Sequence, residues 1–279
     1  MAYESLMEQH GFIPANHKAP QFFPVSLEDI YDKGNKKIPG YKAVMRGDTG
    51  DTLKVHTDNY ALVPYETSFG ALEEAIEKSG LDTTGLRIGT DMMNGGGRVY
   101  RQYLFPNIIE HIHKDRPVAL RINMFDSYDG STAFHGRSGF FDFACANMAF
   151  VGRMALEMKV KHTGADTYKR QVEAIKMLVA AAETYTKEAE RMRKWPNILL
   201  DVEVFHELLE RGIPQYTDQL GSTLVAKFAM GKNESLWDAH TVLTDWSTHT
   251  EGKKRMSIDR QKRVLDLVEG KDWKQLENA

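Results

Sequence analysis

The sequence predicts an α+β fold, in which a twisted antiparallel sheet packs with a helical C-terminal half. Three observations lead to this prediction. Residues 41–144 alternate between apolar and polar side chains, which is the period of a half-buried strand. Asn94-Gly95-Gly96-Gly97 and Asp129-Gly130 are turn sequences between such stretches. Residues 145–279 instead carry apolar residues at helical spacing.

Residues 1–40 are expected to form an N-terminal arm. Four prolines interrupt this stretch, at Pro14, Pro20, Pro24 and Pro39. Because prolines at this spacing prevent long regular elements, we expect only one short helix here, which starts at Ser26. The rest of the chain, residues 41–279, is expected to be a single α+β domain, β-rich over 41–144 and helical over 145–279.

The β-rich part is predicted to contain short strands and one helix. The predicted strands are Thr52–Thr57, Tyr60–Tyr65, Leu86–Met93, Arg98–Phe105, Val118–Phe125 and Ser131–Arg137. The predicted helix runs from Thr67 to Ser79 because Phe69, Leu72 and Ile76 share one face and Gly80 is a helix terminator.

The helical half is dominated by one long predicted helix. It is capped by Asp166 or Thr167 and runs to Trp195, where Pro196 prevents its continuation. Its apolar stripe consists of Tyr168, Val172, Ile175, Val179, Ala182 and Ala189, with one gap. Such a stripe packs on the sheet, on a neighbouring helix or on another subunit. Shorter helices are predicted at Val202–Arg211, Ser235–Thr248 and Asp259–Val268.

Composition indicates a globular protein of the cytoplasm. The chain has 279 residues, of which 42% are hydrophobic, and this is enough for a packed core. Its single cysteine, Cys145, excludes an intrachain disulfide. No apolar stretch approaches the roughly 18 residues of a membrane span, and residues 1–9 do not resemble a secretory signal. We therefore expect no membrane association and a cytoplasmic location.

Several polar segments were considered as sites of chemistry. The loop Asp126–Ser131 has the oxygen atoms to bind a cation or a phosphate, but a turn is the commoner role of such a segment. Asn94–Gly97 lacks the lysine of a nucleotide-binding loop and is interpreted as a hairpin tip. The histidines do not follow a metal-ligand spacing. The sequence thus predicts no metal, no cofactor and no catalytic residues, and we expect that the protein is not an enzyme.

Basic and aromatic residues of the strands form the candidate binding site. Single-stranded nucleic acid needs cations for its phosphates and ring surfaces for its bases. The candidates in the β-rich part are Lys54, Arg98, Tyr100, Arg101, Tyr103, Arg121 and Arg137. A second basic cluster lies between Glu251 and Arg263, with six positive and two negative residues, and adds Lys253, Lys254 and Arg255. Ordinary solvated arginines and core aromatics are the alternative interpretation.

Three stretches resemble a known family. They are Asn59–Tyr65, the segment from Asn123 to Asn147 with its Asp-Gly-Ser and Cys-Ala-Asn elements, and Leu236–His249 with its two tryptophans. Together they resemble the phage- and plasmid-like family known as domain of unknown function 932, over roughly residues 40–250. The resemblance implies an origin in a mobile element, with a host cytoplasmic location. It also implies action on single-stranded DNA as a homo-oligomer in replication, recombination or transcription.

Three functions follow as hypotheses. The first is a single-stranded-DNA-binding protein that anneals strands or recruits a replication or transcription protein. The second is a protein-interaction or inhibitory factor that binds a host or phage enzyme, which the net charge of −3 and the long helical stripe favour. The third is a metal-dependent hydrolase that uses Asp126, Asp129 and His135.

Overall fold

The computed structural model has the α+β architecture that the sequence predicts. It describes residues 7–8, 12–14, 22–113, 116–142, 158–213, 217–231, 234–248 and 254–278. Within these ranges the strands precede most of the helices along the chain, and the strands form two sheets. The chain divides into two compact units. Unit 1 comprises residues 1–107, 121–138 and 156–183, and unit 2 comprises residues 108–120, 139–155 and 184–279.

The two sheets contain nine strands in the described ranges. These are β1 (Ile13–Pro14), β2 (Val25–Tyr31), β3 (Lys37–Arg46), β4 (Thr52–Thr57), β5 (Arg87–Met93), β6 (Arg98–His113), β7 (Arg116–Ser127), β8 (Phe134–Asp142) and β9 (Met158–Val160). The larger sheet has the order β1-β5-β6-β7-β8-β9, and the smaller sheet has the order β2-β3-β4. Neighbours pair antiparallel, as in the register Asp91↔Tyr100 between β5 and β6.

The helices of the described part of the chain number eight. They are α1 (Tyr65–Glu77), α2 (Thr167–Ala182), α3 (Tyr185–Met192), α4 (Val202–Gly212), α5 (Asp218–Ala229), α6 (Leu236–Thr248), α7 (Lys254–Val268) and α8 (Lys271–Glu277). Short 3₁₀ turns lie at Asn94–Gly96 and Trp195–Asn197. The first of these turns is the predicted hairpin tip, where Gly95 and Gly96 have φ values of 63° and 92°.

Two elements of the first 65 residues differ from the sequence-based prediction. The segment that begins at Ser26 is a strand and not a helix, because it pairs with β3 from Val25↔Arg46 to Asp29↔Lys42. Tyr60–Tyr65 is not a strand, because Pro64 and Tyr65 start α1, and Tyr60 makes only an isolated bridge to Thr163. The domain boundary between residues 40 and 41 stays a prediction, although β3 itself spans it.

The long helix predicted up to Trp195 is two helices. α2 ends at Ala182 and α3 begins at Tyr185, so the break falls in the gap of the apolar stripe before Ala189. The helical spacing of apolar residues continues across such a short interruption, so the sequence pattern did not reveal the break between α2 and α3. Helices α5 and α8 were not predicted. The cap of α5 was a usable signal, because Thr217 accepts a hydrogen bond from the backbone N–H of Leu220.

Unit 1 has its core between the larger sheet and two helices. Phe69, Leu72 and Ile76 are buried on α1, as the helical pattern predicts. On α2 the buried residues Leu178 and Val179 face the sheet side of the helix, and Leu178 lies beside Gly136 of β8. The buried Ser68 donates a hydrogen bond to Gln171 and links α1 to α2.

Unit 2 is organised around buried tryptophans and one arginine. Trp195 and Trp273 lie 5.4 Å apart between ring centroids in an edge-to-face arrangement, and both are fully buried. Arg191 of α3 forms ion pairs with Glu188 at 2.7 Å, Glu269 at 3.0 Å and Glu277 at 2.8 Å. The guanidinium group therefore joins α3 to α8 and to the residue that follows α7, and its carboxylate partners raise its pKa despite burial.

We expect alanine at two glycines of unit 1 to change the free energy of unfolding in opposite directions. A Cβ at Gly136 overlaps with the Met124 sulfur and lies 2.5 Å from Leu178 Cδ2, so Gly136→Ala destabilises by about 1–3 kcal/mol through overpacking. A Cβ at the exposed Gly70 in α1 meets nothing within 4 Å, so Gly70→Ala stabilises by about 0.5–1 kcal/mol. Urea denaturation measures both, and equal effects would contradict the packing described for β8.

Replacement of Arg191 tests the centre of unit 2. Arg191→Ala leaves three partly buried carboxylates without this cation, and we expect a loss of about 2–4 kcal/mol in the free energy of unfolding. Arg211→Ala is the matched control, since Arg211 pairs with Glu207 and Asp272 through exposed side chains and its loss costs at most about 0.5 kcal/mol. If the two variants have the same free energy of unfolding, the ion-pair network of Arg191 does not contribute to stability.

Candidate nucleic-acid interface

Three rings from neighbouring strands lie in a row on one face of the larger sheet. The ring centroids of Tyr100 on β6 and Phe125 on β7 are 4.4 Å apart, and those of Phe125 and His135 on β8 are 4.5 Å apart. Both pairs are stacked. The amide of Asn123 also donates a hydrogen bond of 2.6 Å to the Tyr100 hydroxyl, which fixes the position of the first ring.

Three arginines share this face because every second residue of a strand points to the same side. Each arginine stands two residues from another member of the face: Arg98 from Tyr100 on β6, Arg121 from Asn123 on β7, and Arg137 from His135 on β8. We call this surface the arginine face and define it by the residues Arg98, Tyr100, Arg121, Asn123, Phe125, His135 and Arg137. Four residues of this face are nucleic-acid-binding candidates from the sequence, and they lie on the same side of the sheet. These are Arg98, Tyr100, Arg121 and Arg137.

The arginine face is enclosed rather than solvated. Arg121 is 0% and Arg137 2% exposed, whereas Arg98 and Tyr100 are half-buried. Burial lowers the pKa of Arg121. Burial raises the pKa of the Tyr100 phenol to about 12, although Arg121 and Arg137 act in the opposite direction. The two guanidinium groups thus lie near enough to the ring to influence it through their charge.

Arg101 and Tyr103 lie on the opposite face of β6. The Arg101 guanidinium forms an ion pair of 2.8 Å with Glu73 of α1, and the Tyr103 hydroxyl donates to the same carboxylate at 2.9 Å. Arg101 also lies over the ring of Phe22, 5.2 Å from its centroid. These two candidates are therefore part of the packing between α1 and the sheet, and they are separated from the arginine face by the thickness of the sheet.

The remaining candidates lie elsewhere. Lys54 is exposed on β4 in the smaller sheet, where it pairs with Val44. Lys254 and Arg255 begin α7 in unit 2, and Lys253 lies outside the described residues. The structure of Cys145 and of the Cys-Ala-Asn element is likewise outside the described ranges.

A buried pair of Asp126 and His162 was missed by the sequence analysis. The carboxylate of Asp126 and the Nε2 of His162 are 2.6 Å apart, and both side chains are buried. Tyr60 stacks on His162 at 5.5 Å and on His56 at 3.9 Å between ring centroids, and its hydroxyl donates to the carbonyl of Ser127. The partners are distant in sequence, so no spacing pattern was available to reveal them.

Burial and mutual attraction shift the pKa values of this pair. Burial raises the pKa of Asp126, although the hydrogen bond from His162 opposes the rise. Burial alone would lower the pKa of His162, but the hydrogen bond and the charge of Asp126 outweigh it and raise that pKa. Both groups therefore bind protons more tightly in the folded protein than in the unfolded chain.

The loop Asp126–Ser131 is closed by its own hydrogen bonds. The Asp129 carboxylate accepts from the amide of Asn94 and from the backbone N–H of Ser131, both at 2.8 Å, and these bonds lower its pKa against the effect of burial. Gly130 has a φ of 71°. Asp126 and His135 point to opposite faces of the sheet, so the residues of the hydrolase hypothesis do not converge. In the part of the chain that the structure describes, no cluster of acidic, histidine or cysteine side chains has a metal-binding arrangement.

The comparisons with known proteins yield one match. A family model described as Domain of unknown function (DUF932) matches residues 52–267. No curated protein and no solved structure matches the chain. Among the described residues, every helix is too short or too polar to cross a membrane.

The Asp126–His162 pair predicts a specific dependence of stability on pH. Since the folded-state pKa of His162 is raised, its contribution is fully present below the ordinary value of 6.5 and is lost as pH rises through the raised value. We expect the free energy of unfolding to fall between about pH 6 and pH 9, and His162→Gln to remove this part of the decline. Urea denaturation at both pH values measures it.

The control for this experiment is His111→Gln, because His111 is exposed and Arg193 donates to its backbone carbonyl, which the substitution keeps. It should keep the pH dependence of the unchanged protein. An equally steep decline in His162→Gln would contradict the assignment of a charged His162.

Proposed function

Because this chain belongs to the family described as Domain of unknown function (DUF932), whose description gives no activity, we propose a function from the arginine face: the protein binds single-stranded nucleic acid. The observation that carries the proposal is that Arg98, Arg121 and Arg137 share one face of the larger sheet with a row of stacked rings. Guanidinium groups are strong ligands for phosphate, and ring faces are what unpaired bases stack on.

The guanidinium groups of this face suit an anionic ligand. Asp91 pairs with Tyr100 across β5 and β6 and so lies on the same face, where it adds to the rise of the Tyr100 pKa. Asp129 lies near enough to Arg98 for that cation to lower the pKa of its carboxyl group. In an enclosed site of low dielectric, a guanidinium group attracts phosphate more strongly than it does in water.

Burial determines how such a ligand is bound. Arg121 and Arg137 are inaccessible in the folded chain, so phosphates reach them only after a local opening of the fold. Arg98 and Tyr100 are half-buried and offer the first contacts. Such a two-step process gives slow association, and a conformational step would accompany binding.

The second hypothesis, a factor that binds a host or phage enzyme, has less support from the fold. Its two arguments were the net charge of −3 and the apolar stripe of the long helix. On α2 the stripe residues Ile175, Val179 and Ala182 are buried and do not offer a surface to a partner, whereas Tyr168 at the start of the stripe is 44% exposed. Assembly into a homo-oligomer, recruitment of a replication or transcription protein, and a cytoplasmic location remain proposals that follow from nucleic-acid binding.

Binding of a labelled oligothymidine of about 30 nucleotides, followed by fluorescence anisotropy, tests the proposal. We expect binding that weakens steeply between about 50 and 200 mM salt. Arg98→Ala removes one phosphate contact, so affinity falls about three- to tenfold, and the slope of log K against log salt decreases by about 0.7.

Arg211→Ala is the control, because Arg211 is an exposed cation of unit 2 that pairs with Glu207. It changes the net charge by the same amount and should bind as the unchanged protein does. Absence of binding at low salt refutes the function, and equal affinities of the Arg98 and Arg211 variants refute the assignment to the arginine face.

A further inference from the structure

The hairpin of β2 and β3 ends in an arm that is exposed on every side. Each residue from 31 to 41 is exposed, and we call this segment the hairpin arm. In a sheet that packs on a core, exposure alternates along the strands. The lack of alternation here means that, within the described part of the chain, neither face of the arm is covered.

The tip of the arm is a well-defined turn. The backbone N–H of Asp32 donates to the carbonyl of Lys36, and that of Asn35 donates to the carbonyl of Asp32, both at 2.9 Å. The Asp32 carboxylate also accepts from the N–H groups of Gly34 and Lys36. These bonds hold the lysines next to the turn in a fixed arrangement, which lowers the entropy that binding must overcome.

The side chains of the arm combine positive charge with exposed rings. The arm contains three lysines, Lys33, Lys36 and Lys37, and one acidic residue, Asp32. The arm is therefore positively charged, although the net charge of the chain is −3. Tyr31 is 56% and Tyr41 48% exposed. Tyr31 pairs with Lys37 across the two strands, so a ring and an ammonium group lie side by side.

The lysine character continues into the body of the smaller sheet. Lys42 pairs with His56 of β4, and Lys54 lies two residues before His56, so Lys42 and Lys54 share one face. Asp29, opposite Lys42, holds Lys37 through an ion pair of 2.8 Å and raises the pKa of that lysine. Lys42 and Lys54 thus extend the basic side chains from the arm towards β4, with Asp29 between Lys37 and Lys42.

We propose that the hairpin arm is the accessible contact for single-stranded nucleic acid, with its lysines on phosphates and Tyr31 and Tyr41 against bases. This inference rests on the proposed function and adds a second surface to it. The charge of the arm is complementary to a polyanion, and exposed tyrosine rings are the partners that unpaired bases require. Unlike Arg121 and Arg137, the groups of the arm need no opening of the fold.

Two double variants separate the roles of charge and ring. Lys33→Ala with Lys36→Ala removes two phosphate contacts, so we expect affinity for oligothymidine to fall about tenfold and the salt slope to decrease by about 1.4. Tyr31→Ala with Tyr41→Ala removes stacking alone, so affinity falls about tenfold or more while the salt slope stays unchanged. All four side chains are exposed, so the substitutions remove no core packing, and equal thermal midpoints verify that the variants fold.

Helix α2 of the same unit provides matched controls. Lys169→Ala with Lys176→Ala removes two exposed lysines, and Tyr168→Ala removes a tyrosine that is 44% exposed. Both controls should bind as the unchanged protein does. If the arm variants bind no more weakly than these controls, the arm has no role.

The outcomes distinguish the two proposals. If the unchanged protein binds and Arg98→Ala weakens binding while the arm variants equal their controls, the arm inference is overturned and the proposed function stands. If the unchanged protein does not bind oligothymidine at low salt, both are overturned. Weaker binding by the arm variants, with the slopes given above, supports the arm as a contact.

Discussion

The central strands of the larger sheet are buried on both faces, and the rest of unit 1 depends on this constraint. From Arg121 to Tyr128 every side chain of β7 and the turn after it is buried, so the residues that alternate along the strand need two different environments. One face packs against α1 and α2, with Met124 beside Gly136 and Leu178. The other face carries arginines and stacked rings. A strand that is apolar on one side and cationic on the other cannot slip by one residue without burying charge in the wrong layer.

Buried polar groups in both units are stabilised by specific partners. In unit 1, Asp126 and His162 pair, and Glu73 receives bonds from Arg101 and Tyr103. In unit 2, Arg191 joins three carboxylates. A buried charge costs several kcal/mol unless it is paired, so each of these clusters defines one arrangement of the chain more strictly than apolar packing does. Apart from Glu188, which lies three residues before Arg191, their partners come from distant parts of the sequence.

The arginine face and the hairpin arm carry the same kinds of side chain but differ in their exposure to solvent. Both combine cations with aromatic rings, but the groups of the arm are solvated and those of the face are desolvated. A solvated cation contributes to long-range attraction and is screened by salt, whereas a desolvated guanidinium interacts strongly with one closely placed anion. Under the proposed function, the arm would attract the strand from a distance, and the arginine face, entered through Arg98 and Tyr100, would hold it in the tighter complex.

The sequence by itself determined the α+β class, the hairpin tip at Asn94–Gly97, the burial of Phe69, Leu72 and Ile76, and the family. These features depend on periodicity, turn chemistry and local motifs, which act over a few residues. Only the tertiary structure decided that Arg101 and Tyr103 pack against α1 while Arg98, Tyr100, Arg121 and Arg137 share the other face, and that Asp126 meets His162. Strand register and burial are set by the whole sheet and its covering helices, so a pattern of basic residues along the chain does not reveal which of them are exposed.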